Sequence, residues 1–231
     1  MRTIFFLLLT SVVHAQQPSL KVKRGVWFQL KGDTFLLDSL IMEDSSMLLL
    51  DTRHKSCFIR IKYFSIGNNV KIIGNGRDGD NGRDGGEGSL EALDVPGKDG
   101  NHGTHGINLT LNFSNLELQS ALEIYLYGGR GGKGGTGGNI IKRAPKNLSE
   151  TPNQGHGGNG GDGGNGGEVI VSCPSDLEKI IKDKIAIDSS GGIGGSSGTP
   201  LELRIPKWYF ANERNGQPGN EGKIKLLYLK R

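Results

Sequence analysis

The sequence has few hydrophobic residues, little cysteine and no grouping of side chains that suggests catalysis. Only 34% of its 231 residues are hydrophobic. No nucleophile, base and orienting residue form a recognisable set, and no carboxylates are paired, so we expect no enzyme. The formal net charge is only +4. Basic residues form no stripe with interleaved aromatics, so we expect no nucleic-acid partner.

Long apolar runs are missing as well, which argues against a transmembrane segment, because such a segment needs about 20 residues. The apolar run at residues 4–9 follows Arg2 and precedes a small residue at Ala15. This order is typical of a signal peptide, here residues 1–15. We therefore expect an exported chain that is secreted, periplasmic or held at the cell surface. The alternative is a buried N-terminal strand.

Cysteine is limited to Cys57 and Cys173. The two residues are far apart and lack CxxC spacing, which argues against a metal site built from them alone. In an exported chain they could pair as one disulfide. The alternative is two buried free thiols, and the sequence leaves both interpretations open.

Glycine is abundant instead, with 39 residues. Glycine recurs at every third position in six tracts: residues 76–88, 97–106, 128–138, 155–167, 191–198 and 216–222. A polyproline-II helix has three residues per turn, so glycines with this period line one edge, where another backbone can approach closely. The pattern predicts packed polyglycine/polyproline-II helices. The alternative is a set of disordered glycine linkers, because glycine loses the most entropy on ordering.

The six tracts, named first to sixth in chain order, differ in how many edges glycine occupies. The third and fourth tracts carry glycine on two edges and polar residues on the remaining one. The first, second and sixth tracts have fewer glycine edges. Because a glycine edge marks a close neighbour, we predict that the third and fourth tracts are interior and that the others flank them.

Short apolar runs separated by turn residues predict strands. Residues 16–73 are expected to form an N-terminal β region, and residues 74–231 a domain in which strands alternate with glycine tracts. The alternation from residue 107 to 127 is the clearest strand signal, with turns or bulges expected at 114–115 and 119–120. One short helix is expected over 174–184, which begins with proline and acidic residues. The expected fold is mainly β, with the tracts in a layered or solenoid-like arrangement.

This pattern resembles that of polyglycine-II bundle proteins. The classes it resembles are the glycine-rich antifreeze protein of snow fleas, the glycine-rich adhesins at phage tail-fibre tips, and small glycine-rich proteins exported by Gram-negative bacteria. The resemblance covers roughly residues 74–222 and is one of pattern. The adhesin resemblance implies binding through loops between helices. The exposed rows here are charged, which argues against ice binding.

Two groups of side chains are candidates for binding. The aromatic residues Trp208, Tyr209 and Phe210 could stack on a sugar or a partner protein, and the alternative is packing in the core. The polar row of Asn159, Asp162 and Asn165 could bind calcium, although the calcium repeat that this stretch begins lacks its apolar core position. A solvated polar edge is the alternative for that row.

Histidine is a weaker candidate for metal binding. His102 and His105 are one triplet apart and would share an edge, and His156 lies in the fourth tract. No nearby carboxylate or cysteine completes a metal set, so surface histidines are the preferred interpretation.

The expected function is that of an exported, non-enzymatic structural or adhesive protein that binds a surface protein or a glycan. The alternative is an extracellular module for a small ligand or calcium, and no other cofactor is expected. The sequence does not predict an oligomeric state.

Overall fold

The computed structural model describes residues 18–86, 96–138, 156–199 and 213–230. These residues form a mainly β structure with two parallel sheets and one short helix. The six-stranded sheet contains β1 (Ser19–Val22), β3 (Thr34–Met42), β5 (Ser56–Ile66), β7 (Asn108–Leu118), β9 (Val169–Pro174) and β11 (Ile224–Leu229). The five-stranded sheet contains β2 (Trp27–Gln29), β4 (Met47–Leu49), β6 (Val70–Ile73), β8 (Leu122–Tyr125) and β10 (Ile185–Asp188).

Successive strands alternate between the two sheets. Odd-numbered strands follow one another across the first sheet, and even-numbered strands follow one another across the second. Every pair of neighbours is parallel. Because parallel neighbours need a crossover connection, the chain visits the other sheet between one strand and the next.

Apolar side chains from both sheets form one core. Ile59 on β5, Leu111 on β7 and Ile124 on β8 are fully buried in it. β5 pairs with β7, and β6 pairs with β8. The predicted N-terminal β region and the predicted glycine-tract domain therefore both contribute strands to both sheets. The core is therefore continuous across residue 73.

The long strands of the six-stranded sheet bend near their middle. In β7, Phe113 faces the core, Ser114 and Asn115 are both exposed, and Leu116 turns partly inward again. The β5 strand has the same shift at 62–63. The pairing register between the two strands is unchanged across the bend. The turn or bulge expected at 114–115 is thus a shift of the inward–outward alternation within a continuous strand.

The predicted helix is confirmed. A 3-10 turn at Ser175–Leu177 leads into α1 (Glu178–Lys184), whose charges suit the helix dipole and whose Ile181 packs into the core. The strand β9, just before this turn, was not predicted. The strand expected at 201–205 and the signal peptide at 1–15 lie outside the described residues. Within the described residues, no helix has the length and apolar character to cross a membrane.

The disulfide considered for Cys57 and Cys173 is wrong, because both residues are buried free thiols. They lie on β5 and β9, and β7 between them separates these strands by two strand spacings, about 9.6 Å. A disulfide needs its two Cα atoms within about 7 Å. Burial also raises the pKa of the Cys57 thiol to about 11, because an apolar environment disfavours the thiolate.

The glycine tracts leave and rejoin the sheets at equivalent places. The first and second tracts connect β6 to β7, the third and fourth connect β8 to β9, and the fifth and sixth connect β10 to β11. The corresponding connections earlier in the chain, at residues 30–33 and 50–55, are short. Three successive turns of the chain therefore each project one pair of tracts from the same side of the sheets.

Candidate binding face on the glycine tracts

Backbone hydrogen bonds join tracts that lie parallel to each other. Among the first, third and fifth tracts, Gly79 N–H donates to the Arg130 carbonyl at 2.7 Å and Gly131 N–H donates to the Ile193 carbonyl at 2.9 Å. These bonds recur at every third residue of the described tracts. The three odd-numbered tracts consequently form one row.

The even-numbered tracts form a second row in the same way. Gly103 N–H donates to the Asp162 carbonyl and Gly163 N–H donates to the Gln217 carbonyl, each at 2.8 Å. The second, fourth and sixth tracts are again parallel to one another. The odd-numbered tracts lie in the order of β6, β8 and β10, the strands that precede them. The even-numbered tracts lie in the order of β7, β9 and β11, the strands that follow them.

Antiparallel hydrogen bonds join the two rows. Gly132 N–H in the third tract donates to the Asn101 carbonyl, Gly161 N–H in the fourth donates to the Gly132 carbonyl, and Gly195 N–H in the fifth donates to the Gly161 carbonyl, each at 2.8 Å. Within the described residues, the third and fourth tracts each bond to four other tracts, whereas the first and sixth each bond to two. The predicted interior position of the third and fourth tracts is confirmed.

Close approach explains why glycine occupies these positions. A Cβ at Gly131 would collide with the Gly161 carbonyl, and a Cβ at Gly132 would collide with the Asp80 carbonyl. These two positions represent the two glycine edges of the third tract. The fifth tract also uses two edges, at Gly194 and Gly195, which the sequence reading did not single out. Each glycine edge thus marks a neighbouring backbone.

Polar side chains on the remaining edge hold the parallel tracts together. In the first tract, Asp78 Oδ1 accepts the N–H of Arg130 at 2.7 Å, and Asp84 Oδ1 accepts the N–H of Thr136 at 2.7 Å. Backbone N–H groups that have no backbone acceptor therefore receive a side-chain acceptor, as buried or half-buried backbone groups require. The sequence reading missed this role. Its signal is an Asn, Asp or His immediately before a tract glycine.

The same arrangement crosses the even-numbered tracts, and we call this surface the ladder face. Its side chains, from the second, fourth and sixth tracts and the residues that flank them, are Asp99, His102, His105, Asn108, Asn159, Asp162, Asn165, Glu168, Arg214, Gln217, Asn220 and Lys223. His102 Nδ1 accepts the N–H of Asp162 and His105 Nδ1 accepts the N–H of Asn165, both at 2.8 Å. Each imidazole thus serves as a side-chain acceptor for a backbone N–H of the fourth tract.

The structure brings the proposed calcium row together on the ladder face. Asn159, Asp162 and Asn165 each use Oδ1 to accept a backbone N–H of the sixth tract, at 2.9, 2.7 and 2.8 Å. Asp162 Oδ2 lies 3.4 Å from His102 Nδ1. The oxygens that would ligate calcium already have hydrogen-bond partners. Among the described residues, no three or more His, Cys, Asp or Glu side chains are grouped to hold a metal ion.

Two open grooves lie along the ladder face. One, of about 520 Å³, is lined by the Asn159 and Asp162 side chains together with Asp99 and Gln217. These groups offer both hydrogen-bond donors and acceptors to the groove. The groove therefore suits a small polar ligand, such as one rich in hydroxyl groups.

The larger groove, of about 680 Å³, lies where the tracts meet the sheets. Arg53 and Arg77 line it on one side and Glu168 on the other. Arg53 donates to the buried Asp51 carboxylate at 2.7 Å, which holds the pKa of that carboxyl well below its usual range. Arg77 donates to Thr52 Oγ1 at 3.0 Å. Both guanidinium groups are thus held by partners at the groove wall.

The aromatic residues Trp208, Tyr209 and Phe210 lie outside the described residues. The described residues that flank their segment belong to tract ends that meet far from the sheets: Gly137 N–H donates to the Thr199 carbonyl at 3.0 Å, and Gly157 N–H donates to Glu213 Oε1 at 2.9 Å. Gly85 N–H likewise donates to the Thr136 carbonyl at 2.8 Å. The described residues on either side of 87–95, 139–155 and 200–212 all lie at this end of the tracts.

No protein family, curated protein or solved structure matches the chain.

Proposed function

We propose that the six tracts are polyglycine-II helices in a bundle carried by a solenoid-like pair of sheets. Hydrogen bonds at every third residue support this, since a helix of three residues per turn presents the same edge with that period. Glycines that collide on adding a Cβ support it further, because only bare edges let such helices pack. The sheets would supply fixed starting points for the tracts.

We further propose that the protein is an exported, non-enzymatic structural or adhesive protein that binds a surface protein or a glycan. The observation that carries the proposal is the meeting of the tract ends on the side away from the sheets. Three segments joined to one end of a hydrogen-bonded scaffold are placed as binding loops are on many other folds. Segment 200–212 contributes Trp208, Tyr209 and Phe210, aromatic side chains suited to sugar rings or apolar protein surfaces.

The test is binding to glycan arrays and to intact cells by wild type and by Trp208→Ala. We expect Trp208→Ala to lose most binding while its melting temperature stays that of wild type. Tyr63→Ala, an exposed aromatic on the six-stranded sheet, is the matched control and should bind like wild type. Full binding by Trp208→Ala would overturn this assignment of the site.

The second candidate is a small-ligand or calcium module, and the groove beside Asn159 and Asp162 is the observation that favours it. Calcium bound there would stabilise the folded state in proportion to its occupancy. A calcium titration should then raise the melting temperature of wild type, and Asp162→Asn should abolish the rise. An unchanged melting temperature at saturating calcium would remove calcium as the ligand.

A further inference from the structure

The two ends of the pair of sheets expose large apolar side chains. At the end formed by β2 and the start of β3, Trp27 is 68% exposed and Leu36 is 44% exposed. At the opposite end, Leu227 on β11 is 48% exposed, and Leu229 is also exposed. Apolar exposure of this kind at both ends of a stack of strands marks surfaces suited to association.

Both ends also have open strand edges in the part of the chain that the structure describes. There, β11 pairs only with β9, β10 only with β8, and β2 only with β4. Because β1 pairs with β3 only at residues 39–42, residues 34–37 are open on that side as well. An unpaired edge is a template for another strand.

The even-numbered row of glycine tracts, in contrast, is closed at its last member, the sixth tract. The residue after each ladder-face residue is glycine in the fourth tract, at Gly160 and Gly163, where a N–H donates to the next tract. In the sixth tract the equivalent positions hold Asn215 and Pro218. A side chain there occupies the packing edge, and proline has no N–H to donate. A further tract therefore cannot be added to this row in the same way.

We propose that a second copy of this chain docks head to tail on these edges. In this arrangement β11 of one copy pairs with residues 34–37 of the next, and β10 pairs with β2. Main-chain hydrogen bonds between edge strands would join the copies, as in other cases of strand addition. This association is independent of the adhesive role proposed above.

The existing register makes the two ends complementary. Pairing runs from Thr34 through β5, β7 and β9 to Lys225, so a copy added in the same register places Leu36 beside Leu227. Both of these leucines are exposed and face outward. The leucines would cover each other and leave the water-exposed surface together.

The five-stranded sheet gives a second match. Pairing from Trp27 through β4, β6 and β8 leads to Ala186 on β10, and Phe28 leads in the same way to Ile187. The large, exposed Trp27 would lie against the small side chain of Ala186. Phe28 and Ile187 would both face the core, as the residues at the equivalent positions of β4, β6 and β8 do.

Charges at the two ends are complementary in that register. Asp33, one residue before Thr34, would lie between Lys223 and Lys225. On the six-stranded sheet, an acidic residue next to two lysines favours this orientation over a contact between two like ends.

Such a contact is heterologous, since each copy uses a different surface at each end. Heterologous contacts that do not close a ring produce open chains. The prediction is therefore a series of oligomers whose mean mass grows with concentration, rather than a closed dimer. Light scattering after gel filtration and sedimentation velocity both measure this.

A pair of blocking variants tests the contact itself. Leu36→Lys and Leu227→Lys replace outward, exposed leucines at opposite ends, and each should be monomeric alone. An equimolar mixture should form one-to-one dimers, because each variant retains the end that the other lacks. Ile193→Lys, at a 60% exposed position on the fifth tract, is the control and should associate like wild type.

Cysteine cross-linking gives a second, independent readout. Neighbouring strands place Cα atoms about 4.8 Å apart, within the range that a disulfide spans. The double variant Leu36→Cys/Leu227→Cys should form a ladder of disulfide-linked oligomers on oxidation, whereas each single variant should not. A wild type that stays monomeric over the whole concentration series, a mixture of blocking variants that forms no dimer, or a double variant without a ladder would each overturn the proposal.

Discussion

The sheets and the glycine tracts pack neighbouring chain segments with different sequence repeats. In the sheets, every second residue faces a core, and Ile59 and Leu111 are fully buried there. In the tracts, every third residue is a glycine whose missing side chain makes room for a carbonyl, as at Gly131. Buried apolar side chains stabilise the sheets. Backbone hydrogen bonds and side-chain acceptors between neighbouring tracts stabilise the tracts.

The difference between the regions indicates that the spacing of the strands determines which tract positions require glycine. The odd-numbered tracts follow β6, β8 and β10, which are neighbours in one sheet. Neighbouring strands are about 4.8 Å apart, so the tracts begin at that separation. Backbones this close on two sides leave no space for a Cβ between the rows. The tracts therefore keep the spacing of neighbouring strands but have no apolar core between them, and the glycine edges follow from this.

Removing a core side chain should have the largest effect, because it acts on both sheets. Leu111→Ala should lower the free energy of unfolding by about 2–5 kcal/mol. Urea unfolding measures the change, and Ser114→Ala at the exposed bend of the same strand is the control. A loss under about 1 kcal/mol would mean that the core is not packed as described.

Adding one methyl group to an interior tract should come next. Gly131→Ala forces a Cβ against the Gly161 carbonyl, and we expect a loss of about 1–3 kcal/mol from overpacking. Lys133→Ala, on the exposed edge of the same tract, should be nearly neutral in urea unfolding. In a free linker the same change should be nearly neutral, because such a segment is equally disordered in the folded and unfolded states. A Gly131→Ala protein as stable as wild type, or more stable, would therefore contradict packed tracts.

Removing a side-chain acceptor between two parallel tracts should give the smallest effect. Asp78→Ala leaves the Arg130 N–H without its side-chain acceptor, so we expect a loss of about 1 kcal/mol. Asp78→Asn keeps an acceptor oxygen and should retain most of the stability. Thermal unfolding of the two variants measures the difference. Equal losses in both would show that charge, rather than hydrogen bonding, is what Asp78 contributes.

The local repeats of the two regions could be predicted from the sequence. Alternation from Ile107 to Phe113 predicted the strand, and the two glycine edges of the third and fourth tracts predicted their interior position. Both signals are local, because a period of two for apolar residues or of three for glycine can be recognised within one short stretch of sequence. The helix at Glu178–Lys184 followed from its proline start and its charges.

The identity of the neighbours could not be predicted, because it depends on residues far apart in the chain. Nothing near Gly131 indicates that its N–H meets Ile193, since the order of β8 and β10 in the sheet decides this. The role of His102 as an acceptor likewise needs the fourth tract beside it. β9 was missed because its alternation from Val169 is short and begins one residue after the fourth glycine tract. The adhesive site at Trp208 remains a prediction.

Amide hydrogen exchange tests most directly whether the glycine tracts are held by hydrogen bonds between them. The N–H groups of Gly131 and Gly161 donate to carbonyls at 2.9 and 2.8 Å, so these amides should exchange slowly, and only when the structure opens locally. We predict protection of both that approaches the protection of Leu111 in the sheet. Exchange of the glycine amides at the rate of an unstructured peptide, with Leu111 still protected, would contradict the account.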